Sequence, residues 1–156
     1  MNPGHTTDPD RRLYPALPLV GVGVVVLRPD PAPGAVLLAR RGNPPDAGRW
    51  SLPGGLQELG ETAEAGARRE LFEETGLVVD RLALAAQVDS IHRDPDGRVR
   101  YHYTIIDFAA RWRGDAARAG GDITELVWAE LDALGPFDLW SEALRVIAQA
   151  QGLAII

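Results

Sequence analysis

Glu70, Glu73 and Glu74 stand three and four residues apart near the middle of the chain. On a helix, those spacings gather carboxylates on one side. Like charges so placed cost about 0.2–0.5 kcal/mol per pair, and these also fall in the last turns, beside the negative end of the helix dipole. Stability alone would favour arginine there. A carboxylate cluster that defies both rules is the composition expected where divalent cations neutralise it. The donors are oxygens and the chain has no cysteine, so Mg²⁺ or Mn²⁺ is expected ahead of zinc.

The surrounding residues read as a helix built to hold these acids. Thr62 is a suitable N-cap, Ala63 to Thr75 are mostly good helix formers, and Gly76 can supply a left-handed C-cap. Ala63, Ala67 and Leu71 recur at i, i+4 and i+8, which predicts a narrow face of small residues set closely against a sheet. Arg69 lies four residues before Glu73 and is placed to orient it, while Glu61 can reach Arg69 around the start of the helix. A solitary Glu-x-x-Glu would ordinarily be a solvated face; the complete spacing is what sets this one apart.

The rest of the chain supplies strands. Leu19–Leu27 is β-branched and reads as a buried strand, Arg28–Gly34 as a turn, and Ala35–Arg40 as the return strand. A loop over Asn43–Gly48 leads into Trp50-Ser51-Leu52. Leu82–Ile91 and Arg98–Trp112 flank Arg93-Asp94-Pro95-Asp96-Gly97, a hairpin-loop signal, and Glu125–Glu130 is a short strand. Leu139–Gln151 places Trp140, Leu144, Ile147, Ala148 and Gln151 at helical spacing, with Gly152 as the stop. The order predicts an α+β fold, an α/β/α sandwich with a mixed sheet between helices. Residues 1–18, rich in proline and without a period, read as a mobile arm, and 19–156 as one domain.

Composition narrows the function. The net charge of −6 speaks against a protein that lives on the nucleic-acid backbone. All sixteen basic residues are arginine, which excludes Schiff-base and Walker-type lysine chemistry. Guanidinium forks suit phosphates, although genomic bias towards arginine accounts for most of them. No apolar run is long enough to span a bilayer, and no secretory leader is visible at the N-terminus. Without cysteine there are no disulfides, so a cytoplasmic location and no membrane partner are expected.

Gly55, five residues, Glu61, seven residues, then Arg69-Glu70-Leu71-x-Glu73-Glu74-x-Gly76-Leu77 resembles the Nudix box at every defined position. Trp50–Gly54 is similar to the strand and turn that enter the box, and the similarity in strand order extends over about Leu19 to Gln151. The resemblance implies a metal-dependent hydrolase that cleaves a phosphoanhydride bond in a nucleoside diphosphate linked to another group. It assigns the metal to Glu70, Glu73, Glu74 and the carbonyl of Gly54, and uses Glu61 and Arg69 to keep loop and helix in register. The general base is then a box glutamate or a later acid, Asp122 or Glu125.

The segments Arg100–Phe108 and Glu125–Leu131 are similar to small bacterial ADP-ribose pyrophosphatases, so ADP-ribose or a nucleotide sugar is the expected substrate. The proline that marks many such enzymes would fall at His92, and the nearest is Pro95. A nucleoside triphosphate pyrophosphohydrolase that cleans up modified nucleotides is the alternative, followed by a non-catalytic nucleotide sensor. His92, Arg93, Tyr101 and Tyr103 are candidate base or ribose contacts, since aromatic and guanidinium faces stack on purines. A homodimer is expected from the resemblance.

Overall fold

The computed structural model describes residues 9–44, 46–153 and 155. Leu19–Arg28 forms the central strand β1, as its valines require: β-branched side chains suit a pleated surface covered on both sides. The chain returns through a turn closed by Gly34, at φ 86°, into β2 (Ala35–Arg41). Two short strands follow, β3 (Trp50–Ser51) and β4 (Gly54–Leu56), then helix α1 (Ala63–Thr75). A long hairpin pairs β5 (Ala83–Arg93) with β6 (Val99–Arg111), and β7 (Ile123–Glu130) and α2 (Ser141–Gln151) complete the domain.

The sheet runs β3-β2-β1-β6-β5, with β4 added to β1 and β7 to β2. It is mixed: β1 and β6 are parallel from Leu19 opposite Tyr103 to Leu27 opposite Arg111, and the other pairs are antiparallel. β1 and β2 pair through the backbone only beside their turn, at Leu27–Val36 and Arg28–Ala35. Beyond that point they diverge, and the chain from Trp50 to Leu56 fills the split, first along β2 and then along β1.

Alternation along β1 sends Val22, Val24 and Val26 to one face, where they pack with Leu37, Ala67 and Leu71 beneath α1. Val25 goes to the other face, with Val36, Leu38, Ala109 and the α2 residues Val146, Ile147 and Ala150. The α/β/α sandwich predicted from the element order is therefore present. The inward face of α2 is the one expected at Ile147 but not at the other positions. Val146, Ile147 and Ala150 are buried, whereas Trp140 and Leu144 are 43% and 41% exposed. Trp140 precedes the helix as its N-cap, outside the helical period, and a stripe of small and β-branched side chains lets α2 approach the sheet more closely than an indole would.

Of the N-terminal segment, residues 1–8 lie outside the described part. Pro9–Arg12 forms a 3₁₀ turn, and Tyr14 lies on the β5–β6 hairpin. Its N–H donates to the Arg100 carbonyl (2.8 Å), its hydroxyl donates to Asp94 (2.5 Å), and the Arg98 guanidinium covers its ring. No described helix is long and apolar enough to cross a membrane.

Candidate active site

Helix α1 starts and stops where its sequence dictates. Thr62 Oγ1 accepts the Ala65 N–H at 3.0 Å, and Gly76 closes the helix at φ 72° with its N–H on the Phe72 carbonyl. Ala67 and Leu71 face the sheet and are buried. The last turn is covered by the segment before β7, whose Arg118 and Gly120 N–H groups donate to the carbonyls of Thr75 (2.8 Å) and Glu74 (3.0 Å). These bonds satisfy acceptors that a helix end leaves free. Gly120 is required there, because a Cβ would fall 2.5 Å from the Glu73 carbonyl oxygen.

Three elements thus converge on the end of α1. Glu74 is 5% exposed, and its Oε2 accepts the Gly54 N–H from β4 at 2.9 Å. Burial pushes its carboxyl up to about 7, against the lowering influence of the Gly54 bond and the Arg41 charge. Glu70 is half-buried, and its carboxylate lies against the bare Cα of Gly55; a Cβ there would sit 2.4 Å from Glu70 Cδ. Its pKa is raised by burial, with Glu73 and Asp122 adding to the rise and Arg69 opposing it.

Arg69 ties the site together. Its Nε and one terminal nitrogen donate to the two oxygens of Glu61 (3.1 and 2.7 Å), the bidentate geometry suited to a guanidinium. The same nitrogen donates to the Leu56 carbonyl (3.0 Å), and the other to Glu70 (2.7 Å) and Glu73 (3.3 Å). Glu61, above all, holds the guanidinium charged. Glu61 Oε1 also accepts the Glu58 N–H (2.8 Å) and occupies the space left by Gly66. The loop before the helix is thereby fixed to the helix itself.

Of the expected site residues, Gly54, Glu70 and Glu74 meet at the junction of β4 and α1, Arg69 braces them, and Glu73 stands at the exposed rim. Glu125, on β7, is paired with Arg40 at 3.4 Å, both side chains half-exposed. Asp122, on the segment docked against α1, contributes to the field at both Glu70 and Glu74.

Glu70 and Glu73 share one Arg69 nitrogen while Glu74 faces the Gly54 N–H, and no three acidic or histidine side chains among the described residues converge on one point. The donor set nonetheless suits a hard divalent cation. It consists of oxygens alone, and Glu70, Glu73, Glu74 and Asp122 are balanced mainly by Arg69 and Arg41. Burial raises the proton affinities of Glu70 and Glu74, and the neighbouring acids add to the rise.

The α2 face of the sheet carries a second group of residues. His92 stands opposite Tyr101 and Ser90 opposite Tyr103, so all four share that face. The Tyr101 and Tyr103 rings stack at 6.4 Å, and His92 meets Tyr101 edge-on at 6.3 Å, with Ser90 Oγ 3.2 Å from His92 Nε2. Burial raises the Tyr103 phenol. On β1, Leu19 lies beside Tyr103, while Gly21 and Gly23 lie beside Ile105 and Asp107 and are buried. Arg93 is instead committed to the hairpin loop, donating to the Gly97 carbonyl at 3.1 Å.

Asp107 was not anticipated. It lies 6% exposed on this face, with no hydrogen-bond partner among the described residues, and burial pushes its carboxyl up to about 6. Its Oδ1 fills the place of a side chain on Gly23, 2.3 Å from where a Cβ would be. The signal for it was the Val-Gly-Val-Gly of β1. Glycines that interrupt a valine strand leave room for something from the neighbouring strand.

Comparisons with known proteins point to one family. Residues 17–150 match the NUDIX domain family. A MutT-like protein of Streptomyces ambofaciens is 43% identical over 148 residues, 95% of this chain and 87% of that protein. The ADP-ribose pyrophosphatase of Methanocaldococcus jannaschii is 38% identical over 99 residues, 64% of this chain, and the match spans little more than half of that relative, 56%. Among solved structures, the NUDIX domain of Shewanella oneidensis NrtR complexed with ADP ribose superposes with a TM-score of 0.74 at 25% identity, covering 87% of this chain and 88% of that one. With its box complete and its acids gathered where β4 meets α1, the chain belongs to the Nudix hydrolase family.

Proposed function

We propose that the protein is a metal-dependent pyrophosphohydrolase that cleaves the phosphoanhydride bond of a nucleoside diphosphate linked to a second group, with ADP-ribose or a nucleotide sugar as its substrate class. The observation that carries this reading is the gathering of Glu70, Glu73 and Glu74 with the Gly54 backbone where β4 meets α1, an oxygen-only set braced by Arg69. The names of the archaeal relative and of the Shewanella ligand support the choice of substrate.

Glu70, Glu73, Glu74 and the Gly54 carbonyl would hold Mg²⁺ or Mn²⁺, which supplies positive charge at the diphosphate and lowers the pKa of an attacking water. Arg69 orients Glu70 and Glu73, and Glu61 keeps Arg69 in place. The water's proton goes to a carboxylate beside this cluster. Asp122 is the better placed of the later acids, because Glu125 must first leave Arg40. The aromatic row of His92, Tyr101 and Tyr103 is the surface on which the base would stack. Net charge and the small site favour a small-molecule partner over nucleic acid.

Incubating the purified protein with Mg²⁺ and a panel of ADP-ribose, nucleotide sugars and modified nucleoside triphosphates tests the reading. AMP or another nucleoside monophosphate plus a sugar phosphate is the expected outcome. A nucleoside monophosphate plus pyrophosphate, from triphosphates alone, would reassign the enzyme to modified-nucleotide clean-up. Tight nucleotide binding with no hydrolysis of any member would make the domain a sensor.

A further inference from the structure

The opposite end of the sheet holds a feature that this chemistry does not use. β1 and β6 finish side by side at Leu27 and Arg111. Just beyond, Arg28, Arg111 and Arg113 join Arg81, from the segment after α1, around a recess of about 490 Å³ that also contains Asp30 and Asp80. At about 3.3 Å per residue, Arg28 lies roughly 16 Å along β1 from Gly23, where the strand meets Gly54. The two sites are therefore separate.

Four arginines line one recess with only two acids among them, in a chain whose net charge is −6. Asp80 is taken up by Arg113. Arg28, Arg81 and Arg111 have no carboxylate partner among the described residues. Arg28 is the most informative of them. Its Nε is buried with no hydrogen-bond acceptor, and its guanidinium is held over the Trp128 ring, 5.3 Å from the centroid. Trp128 meets Trp112 edge-on at 5.5 Å, and the Trp112 indole N–H donates to the Asp115 carbonyl at 2.7 Å, which fixes the wall behind the arginine. A cation braced on an aromatic wall, with three more arginines lining the recess and no carboxylate bonded to it among the described residues, is organised to receive an anion.

We propose that this recess binds a small phosphate-bearing anion of about nucleoside monophosphate size, clamped by Arg28, Arg81 and Arg111 and backed by Trp112. The volume falls within the range of small-molecule sites. Guanidinium forks match phosphate oxygens in pairs. Unlike the carboxylate cluster, which repels phosphate until a cation is bound, this site needs no metal.

That difference gives the test. AMP and inorganic phosphate are titrated calorimetrically into the intact protein in EDTA, where the carboxylate cluster is closed to phosphate. Saturable binding of AMP is expected, weakening about tenfold or more in an Arg81→Ser/Arg111→Ser double variant, while Glu74→Gln leaves it unchanged. Tighter binding of AMP than of phosphate would assign Trp112 to the nucleoside; equal binding would make phosphate the whole determinant, and either supports the site. Both arginines are exposed, so circular dichroism and turnover of the double variant should match the parent. No saturable binding of either probe at about 5 mM, or binding that survives the double substitution, would overturn the proposal. So would a single-stranded oligonucleotide that binds through the same arginines far more tightly than AMP.

Discussion

Replacing Asp107 with asparagine removes one charge from the interior and changes almost nothing in shape. The carboxyl is 6% exposed, lacks a hydrogen-bond partner among the described residues, and titrates at about 6 in the folded protein against an ordinary value of 3.8. Because the folded value is the higher one, the native state binds this proton more tightly than the unfolded chain does. Folding therefore gains nothing from Asp107 above about pH 6, where an ionised carboxylate must be kept in the interior. At 1.36 kcal/mol per unit, the penalty at pH 7.5 is about 3 kcal/mol, and it vanishes below about pH 4, where both states are protonated. Asparagine carries no such penalty. Urea unfolding of parent and Asp107→Asn at pH values from 4 to 7.5 should show near-equal stability at the acid end. The variant should gain about 2–3 kcal/mol by neutral pH, with the rise falling between about pH 4 and 6. Glu74, raised to about 7, also titrates, but it does so in both proteins and cancels from the difference. A variant less stable than the parent at pH 7.5, or a difference that does not change with pH, would refute the reasoning.

Glu73→Gln and Glu74→Gln should each lower metal-dependent turnover by about a hundredfold or more while the fold survives, since Glu73 is at the rim and a glutamine at 74 still accepts the Gly54 N–H; near-normal kcat in both would remove the box from the mechanism. Gly55→Ala puts a methyl where the Glu70 carboxylate lies. Titration of activity with Mg²⁺ should show the half-maximal concentration rising about tenfold, with thermal unfolding little changed, whereas a large fall in Tm with unchanged metal dependence would place the role of Gly55 in folding alone. Arg69→Lys loses the fork to Glu61 and the bond to Leu56, at a cost of about 2 kcal/mol in urea unfolding. A variant as stable as the parent would show that the loop before α1 is held by other means.

Helix α1 was legible in the sequence almost entirely, because its caps, its small inner face and the Glu61–Arg69 pairing are local. What distinguishes Glu70, Glu73 and Glu74 from one another was not. Sequence spacing places them together, whereas their grading from buried to exposed depends on the segment around Gly120 covering the last turn, a contact between parts of the chain far apart in sequence. β4 was not read as a strand, since three residues that include two glycines carry no period. The inner face of α2 was misassigned except at Ile147, because large apolar residues dominate a pattern, while close packing prefers small ones. Asp107 escaped notice because whether a charged residue in a strand is buried is decided by its neighbour, here the glycines of β1.

The split between β1 and β2 has a mechanical consequence. Backbone pairing joins the two halves of the sheet directly only beside the β1–β2 turn, like covers meeting at a spine. At the open edge, the strap formed by β3 and β4 closes the gap, and Glu74 fastens it through Gly54. Whatever occupies the carboxylate cluster thus acts on the clasp of the whole domain. Occupancy should be felt as slowed amide hydrogen exchange along both β1 and β2, well beyond the residues that touch the ligand.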